Sequence, residues 1–329
     1  MSDPASHRPA ATNAVSGSSA KWRQDALREL RKAPLTAKFG LVVIVIYIFI
    51  AVFAPVVSPY TESQVIGPEY LDIGQAFYTK ENGKIEPLFS DEDIEEAREK
   101  GREIGHLVLG TDNLGRDMLT RLFYGGRNTI GIAFVTTVLA FILGGITGMM
   151  AAIFGGWIDQ ILSRIVDVLM AIPQLIFALL LLTIFGTSIP VLILIIAVLD
   201  STRVFRLARA VSMNVVVLDF VEAAKLRGEG IVWIMRREVL PNIMPPLAAE
   251  FGLRFCFVFL LISALSFLGL GLQPPTADWG SMVRDNATLI TYGIPTPLIP
   301  AAAIALLTIA VNFVVDWFLH KTSGLRDDH

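Results

Sequence analysis

Six long apolar segments constrain the fold of this chain more than any other feature of its sequence. A helix that crosses a membrane needs about 20 mainly apolar residues, because it rises about 1.5 Å per residue through roughly 30 Å of hydrocarbon. The segments are Phe39–Val57, Thr129–Phe154, Ile161–Thr183, Ile189–Ala208, Pro245–Leu272 and Leu298–His320. The sequence therefore predicts an all-α membrane protein with six transmembrane helices.

Composition supports this class. Hydrophobic residues make up 53% of the 329 residues, and the mean hydropathy is +0.60, whereas a soluble chain is usually about 45–50% apolar. The net charge of −3 indicates little, because it sums two compartments. Cys256 is the one cysteine, so an intrachain disulfide is excluded.

The positions of Lys and Arg near the span ends predict the direction of the spans. Basic residues precede the first span, fill the loop after the fourth and close the chain: Arg23, Arg28, Arg31, Lys32, Lys38, Arg209, Lys225, Arg227, Arg236, Arg237, Lys321 and Arg326. We therefore expect both termini in the cytosol. The expected parts are a tail (1–37), the first helix (38–57), an external segment (58–128), a five-helix core (129–320) with a cytosolic loop (209–242), and a second tail (321–329).

Two polar regions flank or interrupt these spans. Ser90 to Arg102 has the composition of an exposed helix, with Asp91 near its start, where the helix dipole favours negative charge. Lys21 to Lys32 is either an amphipathic helix or part of a plain solvated tail, and both interpretations stay open.

The loop between the fourth and fifth spans carries the motif with the most specific spacing. Its members are Glu222, Ala223, Ala224, Gly228, Leu240 and Pro241. The two alanines let another protein approach the backbone closely, Gly228 permits a sharp turn, and Pro241 cannot continue a helix without losing a hydrogen bond. The pattern predicts a short helix, a turn and a second short helix that leads back into the membrane.

A second motif precedes the second span. It comprises Asp112, Gly115, Arg116, Asp117, Arg121 and Arg127. We expect Thr111 or Asp112 to cap a short helix that lies in the outer interface, and Asp117 to pair with Arg121. A structural plug between the first two spans and a contact with cargo both stay open.

A third motif follows the fifth span, with Gly269, Gly271, Trp279 and Gly280. The first two glycines are expected to let helix backbones approach closely in lipid, and Trp279 to act as an interfacial anchor.

Charges inside the apolar segments are costly unless they are paired or reach water. We expect Arg254 to pair with Glu250 or Asp316. A pattern of Asp159, Arg164, Asp167 and Pro173 opens the third span, and there Arg164 and Asp167 are expected to neutralise each other.

Taken in their order along the chain, these four motifs resemble the second permease subunit of bacterial dipeptide/oligopeptide ABC importers. That family also serves nickel, glutathione and some sugar-like cargoes. The resemblance runs from about Lys38 to the C-terminus, apart from Ile66 to Gly105, which looks longer than in most relatives. Glu238 also departs from the general pattern, which has an apolar residue there.

The resemblance implies a type I importer permease fold in the bacterial inner membrane, with an extended external loop between helices 1 and 2. It implies a second permease subunit, two ATPase subunits, an external solute-binding protein and a peptide cargo as partners, and no nucleic acid. The loop helix around Glu222–Gly228 would then sit in a groove on one ATPase. ATP and Mg²⁺ would be bound by the ATPases, so no cofactor is expected in this chain.

The residues themselves agree that this chain is not an enzyme. It has no G-x-x-x-x-G-K-[ST] loop, no metal-ligand spacing and no nucleophile–base arrangement. Within the family, an importer for nickel or another small solute is an alternative. A secondary transporter or channel subunit is an alternative from another class, although it leaves the loop motif unexplained. A purely structural membrane protein explains the glycine-rich motifs least well.

Overall fold

The structure, a computed structural model, describes residues 33–80 and 83–322. Its α-helices are α1 (Leu35–Val57), α2 (Asp91–Glu99), α3 (Met118–Phe154), α4 (Gly156–Met170), α5 (Gln174–Phe185), α6 (Ile189–Val216), α7 (Asp219–Leu226), α8 (Ile231–Ile234), α9 (Leu240–Phe267), α10 (Trp279–Asn286) and α11 (Leu298–Thr322). Three strands, β1 (Ala76–Thr79), β2 (Ile85–Leu88) and β3 (Ile104–His106), lie between α1 and α3. The helix expected at Lys21–Lys32 falls outside the described residues.

Four helical stretches in the described residues are long and apolar enough to cross a membrane: α1, α3, the continuous stretch from α8 through α9, and α11. A fifth span is present if α4 and α5 cross the membrane together as one broken span. The two helices meet at an angle of 87° at the break between them. The structure thus matches four or five of the six predicted spans. The fourth predicted span lies in α6, whose 28 residues are interrupted by Asp200, Arg203 and Arg206.

The third predicted span, Ile161–Thr183, is not one continuous helix. Helix α4 ends at Met170, and α5 begins at Gln174, directly after Pro173. Proline lacks an amide hydrogen and disfavours helical backbone in the residue before it, so the helix breaks at this point.

The separate interfacial helix expected before the second span is also absent from the described residues. Helix α3 runs without a break from Met118 to Phe154. Its cap is Asp117, whose carboxylate accepts a hydrogen bond of 2.7 Å from the Thr120 amide, and not Thr111 or Asp112. A side-chain acceptor at this position satisfies one of the free amide hydrogens of the first turn.

Helices α3 and α6 pack backbone against backbone. A methyl group at Gly144 would clash with the carbonyl oxygen of Ser201, and one at Gly148 would lie 2.7 Å from the carbonyl oxygen of Phe205. Glycines four residues apart lie on one helix face, and they let two helices approach closely where lipid offers no hydrophobic driving force.

The described residues between 58 and 117 contain a three-stranded sheet and α2, and we call this part the sheet lobe. Its antiparallel sheet has the strand order β2–β1–β3, with Ala76 opposite both Leu88 and His106. Helix α2 confirms the helix expected from Ser90, which forms a reciprocal capping box with Asp93. The sheet was not expected, so the all-α prediction is wrong for this lobe.

Candidate functional site

The loop between α6 and α9 begins with the local structure that its motif predicts. Helix α7 ends at Leu226, Gly228 turns the chain with φ of +81°, and α8 follows from Ile231. A positive φ of this size is strained for residues with a side chain, which explains the glycine. The predicted short helix and turn are confirmed, whereas the second helix is not a separate short one, because α8 continues through a π-helical turn into α9.

The two alanines of the motif face opposite ways. Ala224 and Val221 are fully buried in an apolar cluster with Ile234 and Val239, whereas Ala223 is exposed. Positions 221 and 224 are three apart and share the inner helix face, while position 223 does not. The expectation that both alanines face a partner is therefore wrong for Ala224, which packs within its own chain.

The exposed side of this loop carries apolar side chains that sequence analysis did not single out. Leu226 is 83% exposed and Val232 is 76% exposed, and Phe220 lies nearby in the sequence on α7, with 39% of its surface exposed. Glu222, Lys225 and Arg227 are exposed on the same short segment. We call this set the loop surface. The sequence did contain a signal for this surface, namely apolar side chains within a charged loop. Exposed apolar patches with a polar rim mark interaction sites.

The end of the motif joins the loop to the long helix α9. A single π-helical turn at Met235–Val239 leads directly into Leu240 and Pro241. Pro241 is the second residue of α9, where the proline ring is tolerated. Half-buried Leu240 packs on the Val221–Ala224 cluster, so a displacement of α7 reaches α9 through side-chain contact.

The second motif forms a buried ion-pair cluster. The Asp112 carboxylate, 2% exposed, accepts hydrogen bonds from the Arg116 amide at 2.9 Å and from Arg116 Nε at 2.8 Å. It also pairs with Arg121 Nε at 3.1 Å. The expected pair between Asp117 and Arg121 is wrong, because Asp117 caps α3. Buried charges need a partner of opposite sign, and Asp112 is the partner that both arginines share.

Gly115 joins this cluster to the rest of the sheet lobe. Its carbonyl oxygen accepts hydrogen bonds from the amides of Ile66 and Gly67, at 2.8 and 3.2 Å. A side chain at Gly115 would clash with the Gly67 carbonyl oxygen, and φ there is +71°. These contacts favour the structural plug interpretation for most of the motif. Arg127 is the exception, because its side chain is exposed.

The third motif lies in the protein interior. Trp279 is only 3% exposed, its Nε1 donates a hydrogen bond of 2.9 Å to the Leu122 carbonyl, and its ring packs edge-on against Tyr47 and Phe259. The expected interfacial anchor is therefore wrong. A methyl group at Gly280 would clash with the Ser263 carbonyl oxygen, so α10 packs directly on α9.

The other two glycines of this motif terminate α9. The Gly269 amide bonds to the Ser266 carbonyl at 3.0 Å and the Leu270 amide to the Leu265 carbonyl at 2.9 Å, with φ of +87° at Gly269. Such paired bonds after a helix, with a left-handed glycine, satisfy its last carbonyl groups. Gly271 packs on Ser266 of the same turn, so the expected close approach of separate helices in lipid is wrong here.

Asp278 caps α10 from a fully buried position. Its Oδ1 accepts a hydrogen bond of 3.0 Å from the Ser281 amide. Burial raises the pKa of this carboxyl above its ordinary value, although hydrogen bonds from Ser281, Ser266 and Gly280 oppose the rise.

The charges within the helices pair across elements. Arg254 Nε lies 2.7 Å from Glu250, as expected, and its Nη1 lies 3.7 Å from Asp200 on α6, while Asp316 is not its partner. Closer to the C-terminal end of α6, Arg206 pairs with Asp167 at 2.8 Å and Arg209 pairs with Asp159. The expected pair of Arg164 with Asp167 is therefore wrong. Each cross-helix pair involves α6, which sequence spacing within one helix could not indicate.

Within the described residues, no group of three or more His, Cys, Asp or Glu side chains is placed to hold a metal ion.

Comparisons with known proteins agree with this picture. Residues 144–321 match the family described as the binding-protein-dependent transport system inner membrane component, and residues 21–72 match the N-terminal transmembrane domain of oligopeptide transport permease C. The chain is 31% identical over 294 residues to the di/tripeptide transport system permease protein DppC of Pseudomonas aeruginosa (strain UCBPP-PA14), covering 88% of this chain and 85% of that protein. It is 35% identical over 291 residues to the dipeptide transport system permease protein DppC of Escherichia coli (strain K12), covering 88% and 87%. It also resembles the crystal structure of an amino acid ABC transporter with histidines, at a TM-score of 0.47 and 20% identity, covering 62% of this chain and 94% of that one.

Proposed function

We propose, on the premise that this chain belongs to the family of binding-protein-dependent inner-membrane transport permeases, that it carries dipeptides or oligopeptides into the cytoplasm as one permease subunit of an ATP-driven importer. The chain is a transport subunit and not an enzyme. The peptide cargo is supported by the similarity to permeases named for dipeptide and di/tripeptide transport.

The observation that carries the proposal is the loop surface on α7 and α8. Exposed Leu226 and Val232 lie beside exposed Lys225 and Arg227, and the opposite face of α7 is fixed to α9 through Val221 and Ala224. A surface that is rigidly connected to a long helix can transmit force. We propose that this surface sits in a groove on one ATPase subunit, which binds ATP and Mg²⁺.

The transmitted motion would act on α6 and α9, the two helices that flank the loop. Arg254 on α9 pairs with Asp200 on α6, so the two helices are also linked at depth. We propose that ATP-driven movement of α7 tilts this helix pair and opens a path between this chain and a second permease subunit. A helix pair with two stable arrangements, biased from a distant site, is the physical requirement.

The complete assembly in this proposal has four further proteins: the second permease, two ATPases and a solute-binding protein outside. We propose six spans with both termini in the cytosol, a topology in which the sheet lobe lies outside and the loop surface inside. The Lys and Arg distribution supports this orientation. Single cysteines at exposed Ser90 and at half-buried Glu229, in a Cys256→Ser background, are expected to react with an impermeant maleimide from opposite sides of the membrane. Reaction of both from one side would refute the orientation.

Copurification of the ATPases after mild solubilisation tests the coupling role. Ala223→Trp is expected to reduce ATPase recovery and peptide-dependent ATP hydrolysis, while the pairing with the second permease is retained, because Ala223 is exposed and packs on nothing in this chain's core. Glu95→Trp, an equally bulky change at an exposed position of α2, is the matched control and is expected to leave both unchanged. Normal ATPase recovery and peptide uptake with Ala223→Trp would overturn the proposal.

A further inference from the structure

An apolar groove of about 580 Å³ runs along the bundle between α1, α3, α9 and α11. Aliphatic and aromatic side chains dominate its lining, among them Ile44, Ile48, Val52, Phe134, Phe251 and Phe255. Ile48, Val52 and Phe134 are each more than half exposed, at 53%, 62% and 52%. The groove therefore opens sideways, toward the surroundings of the bundle, and is not an enclosed cavity.

Among the residues that the structure describes, Arg127 is the one charged residue that lines this groove. It is exposed, and it makes no hydrogen bond or ion pair within the part of the chain that the structure describes. The nearby arginines of α3 and the preceding segment, Arg116 and Arg121, instead share Asp112 as an ion-pair partner. The Arg127 guanidinium is therefore available to an anion bound beside the apolar groove.

The groove has the depth of one leaflet. Arg127 lies close to the start of α3 at Met118, on the side of the sheet lobe, and Phe134 lies two turns further along the helix. Seven residues of helix correspond to about 10 Å, and Ile44 to Val52 on α1 spans about 12 Å. Half of the hydrocarbon core is roughly 15 Å thick. The length of the groove along α1 and α3 is thus close to the thickness of one leaflet, with Arg127 at the end nearer the sheet lobe.

We propose that this groove binds one acyl chain of a glycerophospholipid, whose phosphate is held by Arg127. A planar guanidinium can donate two parallel hydrogen bonds to phosphate oxygens, a pairing that is stronger than one between neutral groups. The apolar lining and the opening toward lipid match a hydrocarbon tail. With the sheet lobe outside, as in the proposed orientation, the lipid belongs to the outer leaflet.

Two other occupants fit the lining less well. A dipeptide carries a charge at each end, and the groove offers a single cation and no anion. A helix of the second permease would cover the apolar lining, but it would need its own carboxylate at the level of Arg127 to avoid an unpaired charge near lipid. Both remain outcomes that the experiment distinguishes.

Gly131 provides a variant that fills the groove without disturbing the helix packing. It lines the groove, its φ is not in the left-handed region, and a Cβ atom there would meet no atom within 4 Å. Gly131→Leu therefore places a side chain into the space assigned to the lipid tail. Gly145, on the same helix, also has no atom within 4 Å, but it lines a different groove with Met149 and Met244. Gly145→Leu is the matched control.

The test uses the complete importer, reconstituted in phosphatidylethanolamine vesicles that contain either spin-labelled phosphatidylglycerol or spin-labelled diacylglycerol, which lacks the phosphate. The wild-type complex is expected to immobilise the phospholipid several-fold more strongly than the diacylglycerol. Arg127→Gln is expected to remove this difference, and Arg127→Lys to retain part of it. Gly131→Leu is expected to reduce the immobilised fraction of both lipids, and Gly145→Leu to leave both unchanged.

Three outcomes would overturn the proposal. Equal immobilisation of the two lipids by the wild-type complex would remove the role of the phosphate. Release of the second permease by Gly131→Leu, with the lipid signal unchanged, would make the groove a subunit interface. A raised KM for peptide in Arg127→Gln, again with the lipid signal unchanged, would assign Arg127 to the cargo. None of these results depends on the ATPase contact, so the coupling proposal stands or falls separately.

Discussion

The α-carbon of Gly144 on α3 lies directly against the carbonyl oxygen of Ser201 on α6, so closely that a methyl group at position 144 would overlap that oxygen. The same methyl group would lie 2.7 Å from Cβ of Val204. The neighbouring residue, Gly145, faces open space, with no atom within 4 Å of a Cβ built there. Two adjacent glycines thus have opposite structural roles.

Gly144→Ala is therefore expected to destabilise the permease by about 1–3 kcal/mol, because α3 and α6 must separate to accommodate the methyl group. Gly145→Ala is expected to be neutral or slightly stabilising, since alanine favours a helix over glycine by about 1 kcal/mol. Thermal unfolding of the two purified variants in the same detergent provides the comparison. Equal melting temperatures for both would show that the close approach does not contribute to stability.

The ion pairs of Arg254 predict a large loss of stability for Arg254→Ala. Asp200, 1% exposed, would lose its cation and be left buried with an unpaired charge. Removing one partner of a buried pair costs about 3–5 kcal/mol. The control is Arg206→Ala, whose pair with Asp167 is about half exposed on both sides and is expected to contribute less than about 1 kcal/mol.

A rescue variant separates charge from packing in this prediction. Adding Asp200→Asn and Glu250→Gln to Arg254→Ala removes both orphaned carboxylates and is expected to restore much of the lost stability. If Arg254→Ala alone proved stable and instead changed which peptides are transported, the side chain would belong to the transport path.

The buried carboxyl of Asp278 predicts a specific dependence of stability on pH. Because burial raises its pKa in the folded state, the folded protein binds a proton more readily than the unfolded chain does. Lowering the pH through this raised pKa therefore stabilises the folded form relative to the unfolded form. Asp278→Asn retains an oxygen that can cap α10 but cannot titrate.

Melting temperatures of the wild type and of Asp278→Asn, measured from about pH 7 down to about pH 4, near the ordinary pKa of an aspartate, test this sign. The difference between the two proteins is expected to shift in favour of the wild type as the pH falls. A difference that is independent of pH, or that shifts the other way, would contradict the raised pKa.

Gly228 provides a test of the turn in the loop. Its φ of +81° is unfavourable for any residue with a side chain, whereas Gly230 has φ of −69°, and both glycines face open space. Gly228→Val is expected to shift α7 and to lower peptide-dependent ATP hydrolysis markedly, with normal insertion and pairing of the permease. Gly230→Val, at an ordinary extended backbone, is expected to have the smaller effect on hydrolysis. Wild-type hydrolysis and uptake in Gly228→Val would refute the importance of this turn.

Features that depend on neighbours in the chain were predictable from the sequence. The length of the apolar segments predicted the positions of α1, α3, α9 and α11, because burial in lipid requires a continuous apolar stretch. The spacing of Gly228 and the loop alanines predicted the helix and the turn of the loop. Ser90 and the acidic residues after it predicted the start of α2, since capping is decided within one turn.

The tertiary structure alone decided which residues meet. Trp279 and Leu122 lie 157 residues apart, and no local pattern distinguishes a buried tryptophan from an interfacial one. The cross-helix partners of Arg254 and Asp167 were missed because spacing within one helix reports only neighbours three or four residues away. The sequence by itself determined a membrane permease with a helical loop between two spans. The packing of α6 against its neighbours decided which charges pair between helices, and the packing of α1, α3, α9 and α11 formed the groove beside Arg127, because these contacts depend on the relative placement of helices that are distant in the chain.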